Sequence, residues 1–154
     1  MENNNYSPPK SNINTKTEFK GSPLKAVIVA TSIDIIGSMT FGVIYAFIYA
    51  IVLSSEGVPP EQIEKAITNI DTYSIHSIIG TIIGLSISLC AGYICARTVN
   101  YKEYKVVTVY AVIILTFSLF IGASKYSLIE YIILNSLSLM FIYSGAWLYV
   151  KNKP

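Results

Sequence analysis

The amino-acid sequence predicts an all-α integral membrane protein: a four-helix bundle with up-down-up-down spans and a short amphipathic helix in the first outer loop. Three observations predict it. Hydrophobic residues make up 53% of the 154-residue chain and charged residues 13%, against roughly 45–50% and 25% in an ordinary soluble domain. Four apolar segments follow one another, each long enough to cross a hydrocarbon core of roughly 30 Å as a helix. The basic residues then alternate between the two sides of those segments.

Residues 1–25, which open MENNNYSPPKSNINTKTEF, are rich in Asn, Ser, Thr, Pro and Lys and lack apolar periodicity. Such a segment buries too little surface to offset the entropy of ordering, so a disordered cytoplasmic tail is expected. It also lacks the apolar core of a cleavable signal peptide, because the hydrophobic run begins only after Lys25 and is too long for that role. The membrane domain covers 26–150, with spans at 26–53, 73–96, 106–123 and 127–150 and a second short tail at 151–154. In lipid every backbone polar group needs an internal partner, so helix prevails despite the many β-branched Ile and Val residues. The first span exceeds the hydrocarbon thickness and must tilt or project beyond it.

Between the first two spans, SSEGVPPEQIEKAITNIDTYS places Pro59 and Pro60 before Glu61 and Glu64, with Ile63, Ala66, Ile67 and Ile70 at helical spacing. Proline at the start and acids in the first turn mark a helix N-terminus. The expected short helix rests its apolar side on the membrane surface or on the bundle ends.

Lys10, Lys16, Lys20 and Lys25 precede the first span, Arg97, Lys102 and Lys105 separate the second from the third, and Lys151 and Lys153 follow the fourth. Only Lys65 and Lys125 fall on the other side, a nine-to-two split that places both termini in the cytoplasm. Tyr49, Tyr73 and Tyr126 fall near the outer boundary and Tyr101, Tyr104, Trp147 and Tyr149 near the inner one, as interfacial anchors do. A cell membrane of the bacterial inner-membrane type suits this layout.

Composition also excludes functions. The net charge of +2 and the scattered basic residues leave no stripe for nucleic acid. Cys90 and Cys95 stand about 140° apart around one helix, so they cannot bridge each other. They also lack CxxC spacing, and His76 is the single histidine of the chain, so neither a metal site nor any other cofactor is expected. No HExxH and no evident Ser, His and Asp set points to an enzyme. The expected partners are the lipid bilayer and either another membrane protein or a second copy of the chain.

Small residues recur every fourth position. The first span carries Ala26, Ala30, Asp34, Ser38, Gly42, Ala46 and Ala50, and the second His76, Gly80, Gly84, Ser88, Gly92 and Ala96. Small side chains admit a close second backbone, the chief route to helix association in lipid. Two such helices adjacent in sequence are expected to pack antiparallel, with Ser88 and Cys90 near the depth of Asp34.

Asp34 interrupts an otherwise apolar run, and three readings of it stay open. It pairs with Arg97 near the cytosolic interface, it hydrogen-bonds structurally to Ser88, or it couples to a proton, a cation or another ligand, as intramembrane acids commonly do. In the fourth span Glu130, Asn135 and Ser138 share one arc with Ser127 and Gly145. That arc is either a polar cavity with Glu130 and His76 near its mouth, or an interfacial acid plus an interhelical Asn bond.

One local resemblance carries further. CAGYICARTVNYKEY, residues 90–104, resembles the AGYxxAR-type span end of small, uncharacterised bacterial four-helix membrane proteins, carried by Ala91 to Arg97. It implies the same four-helix membrane fold and no particular activity. The small-residue faces set the functional expectation of a non-enzymatic accessory, immunity-type or self-associating membrane factor acting through helix packing; the alternative, resting on the intramembrane acids, is a small proton- or cation-coupled transporter or channel using Asp34 or Glu130.

Overall fold

The computed structural model describes residues 21–69, 74–122 and 126–153. The described residues form five helices and no strand: α1 Pro23–Ser55, α2 Pro60–Thr68, α3 Ile75–Val99, α4 Glu103–Gly122 and α5 Leu128–Lys151. All but α2 are long and apolar enough to cross a membrane, and the protein is a multi-pass membrane protein. The expected positions Ile70, Tyr73, Lys125 and residues 1–20 lie outside the described residues.

Local chemistry sets the helix ends. Ser22 caps α1, its Oγ accepting from the Lys25 N–H at 3.4 Å, and Pro23 occupies the first turn, where its missing N–H costs nothing. Pro23, Leu24 and Lys25, assigned to the tail on composition, are thus the first turn of α1; a Ser-Pro start outweighs the lack of apolar periodicity. Ser74 caps α3 by accepting from the Ser77 N–H at 3.2 Å. Asn100 ends α3 in the left-handed conformation, with φ 54°, so α3 runs three residues past Ala96. At the other end of the next helix, α4 begins at Glu103 rather than 106. α2 confirms the short loop helix and packs against α1, with Ile63, Ala66 and Ile67 half-buried.

α3 is the central strut. It packs most extensively on α5 and α1 and also meets α4, while α4 touches α1 and α5; among the described residues no Cα of α1 lies within 8 Å of one of α5. Buried side chains come from the beginning of α1 (Ala26, Val27, Ala30, Asp34), the end of α3, the beginning of α4 and the end of α5. All four stretches lie at one end of the bundle, here called proximal. Its surface is tied down as well. The Gly21 N–H donates to the Val99 carbonyl at 3.0 Å, Tyr149 OH donates to Asn100 Oδ1 at 2.8 Å, and Lys153 Nζ reaches the Asn100 carbonyl and Glu103 Oε1, both at 2.9 Å. Two of these contacts occupy the backbone carbonyls of Val99 and Asn100, which the end of α3 would otherwise leave unpaired.

Small residues do unequal jobs in the two halves. A Cβ on Gly92 would stand 2.2 Å from the Ile142 carbonyl oxygen, and one on Gly145 2.0 Å from that of Leu89, so α3 and α5 pack backbone on backbone. At Gly42, Gly80 and Gly84 a Cβ would meet nothing within 4 Å among the described residues. This corrects the expected α1–α3 seam: Ala26 and Ala30 are buried, Ser38 and Gly42 are exposed, Ala46 and Ala50 are half-buried, and Gly92 faces α5 rather than α1. A four-residue stripe drifts about 40° per step around its helix. Two such stripes stay in register only over a short length, and here that length is proximal.

Candidate functional site

The one carboxylate of α1 sits where three helices meet. Asp34 stands about 16 Å along the axis from Pro23 and is 5% exposed. Ser88 of α3 donates to Asp34 Oδ1 at 3.0 Å and lies 3.3 Å from Oδ2, and Tyr110 of α4 donates to Oδ2 at 2.5 Å. Tyr110 is fully buried. Each partner has a local reason for its place. Ser88 lies on the small-residue face of α3, and Tyr110 lies about 10 Å into α4, far enough from the proximal surface to hold its hydroxyl away from water. Thr31, one turn from Asp34, adds no third bond; its buried hydroxyl has no hydrogen-bond partner among the described residues.

A cavity of about 300 Å³ adjoins this carboxylate, bounded by Asp34, Ile35, Ser38 and Met39 of α1, Ser88 of α3, and Ile114, Phe117 and Ser118 of α4. A second cavity of about 170 Å³ shares Ile114 and Ser118 and continues distally to Tyr126, Tyr131, Leu134, Asn135 and Ser138. Asp34 and Asn135 therefore border neighbouring spaces on either side of Ser118.

Arg97 is absent from this cluster. It is exposed on the last turns of α3, about 13 Å along the axis from Ser88, and no ion pair joins it to Asp34 among the described residues. The proposed interfacial pairing is corrected accordingly: the helix that brings Ser88 to Asp34 carries Arg97 past it. Glu130 is elsewhere too. Its Oε2 accepts from both the N–H and the Oγ of Ser127 at 2.9 Å, and its own N–H donates to Ser127 Oγ at 3.4 Å, a reciprocal capping box worth about 1 kcal/mol to the helix start. Asn135 donates to the Tyr131 carbonyl of its own helix at 2.8 Å, so the expected interhelical bond is replaced by an intrahelical one.

His76 belongs to a distal aromatic group. Its Nδ1 is 2.7 Å from Tyr45 OH, and its ring lies 4.1 Å from that of Tyr49. About 18 Å of helix separates it from Ser88.

Sequence reasoning missed Tyr110. The available signal was a tyrosine in the interior of a span, away from both aromatic belts, where a hydroxyl needs a buried acceptor. No family model, curated protein or solved structure matches the chain.

Proposed function

We propose that this multi-pass membrane protein works without catalysis, as an accessory or self-associating factor whose distal α1–α3 face receives another transmembrane helix. The supporting observation is the division of the bundle: a closed proximal half and a distal half in which Gly42, Gly80 and Gly84 have open space beside them. Ser38, Phe41, Tyr45, Ile83 and Ile87 complete a shallow groove around those glycines. Close approach over glycine is how helices associate when lipid supplies no hydrophobic drive. The groove is self-complementary in chemistry, which favours a second copy as its first occupant. The proximal end is assigned to the cytoplasm from its Lys and Arg excess, in a membrane of the bacterial inner type. A catalytic reading draws no support from Asp34 and Ser88, since the single histidine lies about 18 Å along α3 from that serine.

Gly42→Leu and Gly84→Leu fill this groove without touching the proximal core. Gentle-detergent purification from native membranes, with cross-linking of the associated species, should show association weakened by roughly tenfold or more and an unchanged monomer melting temperature. Association at wild-type strength in both variants would remove the groove from the interface.

A second reading is favoured by the place of Asp34 on a cavity wall. There it serves as a proton- or cation-binding carboxylate of a small transporter or channel, a role Glu130 is poorly placed to share.

A further inference from the structure

We propose that the cavity beside Asp34 binds a small lipophilic organic monocation, an amine whose N–H group reaches the Asp34 carboxylate while its apolar part lies along Ile35, Met39, Ile114 and Phe117. The proposal gives a ligand class to the second reading above and stands independently of helix docking at the distal groove.

Four observations carry it. Asp34 accepts from two hydroxyls, whereas a carboxylate offers about four acceptor positions, so the carboxylate keeps capacity for another donor. No cationic side chain reaches it among the described residues, and a buried carboxylate calls for a counter-charge. The residues around the space are mostly apolar, with the Phe117 ring available to a cation. The volume of about 300 Å³ lies at the lower end of small-molecule sites. A divalent metal fits the place poorly: it demands several oxygen ligands, and among the described residues no group of three His, Cys, Asp or Glu side chains could hold one. Entry comes from the bilayer side, where Met39 and Phe117 are exposed, at 67% and 44%. An amphiphilic amine already concentrated in lipid would meet the cavity there.

The test uses the full-length protein in detergent micelles and radiolabelled N,N-dimethyl-2-phenylethylamine. Unlabelled amine should displace the probe, and its carbon isostere (3-methylbutyl)benzene should not. Asp34→Asn should weaken binding at least roughly thirtyfold, the loss expected when one partner of a buried charge pair goes. Phe117→Ala, on an exposed position, should weaken it roughly three- to tenfold at unchanged melting temperature. Equal displacement by the hydrocarbon, or undiminished binding in Asp34→Asn, overturns the proposal. If Asp34→Asn fails to fold, either full binding in Phe117→Ala or equal displacement by the hydrocarbon overturns it instead. Uptake driven by a proton gradient in proteoliposomes is measured separately: binding without uptake ends the transporter reading and supports the site.

Discussion

Replacing Gly145 by alanine is expected to destabilise the bundle by about 1–3 kcal/mol, the range for overpacking a close contact, and Gly92→Ala should behave alike. The added methyl would have to occupy space 2.0 Å from the Leu89 carbonyl oxygen in one case and 2.2 Å from that of Ile142 in the other. Both obstacles are backbone, so relief requires α3 and α5 to move apart, and with them much of the buried core. Helix propensity works in the opposite direction, favouring alanine over glycine by at most about 1 kcal/mol. The clash should win. Gly84→Ala is the matched control, since its methyl meets nothing within 4 Å and only the propensity gain remains. Reversible unfolding in mixed micelles, followed by circular dichroism, reads all three. A stable Gly145→Ala beside a destabilised Gly84→Ala would mean that α3 and α5 do not pack through these glycines.

The second large effect is expected at the three-helix junction. Tyr110→Phe removes the donor to Asp34 Oδ2 while keeping the ring in the core, and should cost about 1–3 kcal/mol, the range for leaving a buried acceptor short of a partner. Asp34→Ala should cost more, because it strands two buried hydroxyls, Ser88 and Tyr110, and enlarges the adjoining cavity. The Asp34→Ala and Tyr110→Phe double-mutant cycle should show a coupling of about 0.6 kcal/mol and at most about 1.7 kcal/mol, the average and the maximum for hydrogen bonds between membrane helices. Arg97→Ala, at an exposed position, should stay within about 0.5 kcal/mol of wild type. If Arg97→Ala proves the more damaging and Tyr110→Phe is neutral, the carboxylate is held by the guanidinium and not by the hydroxyls.

The small-residue stripes show why the packing was only half legible. Spacing by four is visible in any sequence, and it marks faces that permit close approach; it does not say which neighbour arrives. Gly92 lies on the same stripe as Gly84, yet its Cβ position abuts the backbone of α5, whereas a Cβ on Gly84 would meet nothing within 4 Å among the described residues. Crossing angles and the drift of the stripe decide between them, and both depend on every helix in the bundle. Ser88 was accessible as a partner for Asp34 by simple depth counting along two antiparallel helices. Tyr110 required knowing that α4 packs against α1, a contact between elements far apart in sequence. Arg97 misled for the opposite reason, since charge attraction suggested a pairing that the position of α3 does not permit.

What followed from the sequence alone was everything the solvent dictates: four spanning helices, their alternation and the short helix in the loop. The bilayer enforces these residue by residue, through the cost of unpaired backbone groups and the length needed to cross hydrocarbon. The tertiary structure alone decided that the bundle closes at one end and opens at the other, that Asp34 is held by hydroxyls from two further helices, and that a cavity lies beside it. Lipid is as apolar as the side chains it meets, so hydropathy ranks no helix pairing above another. That choice falls to shape and to a few buried polar groups.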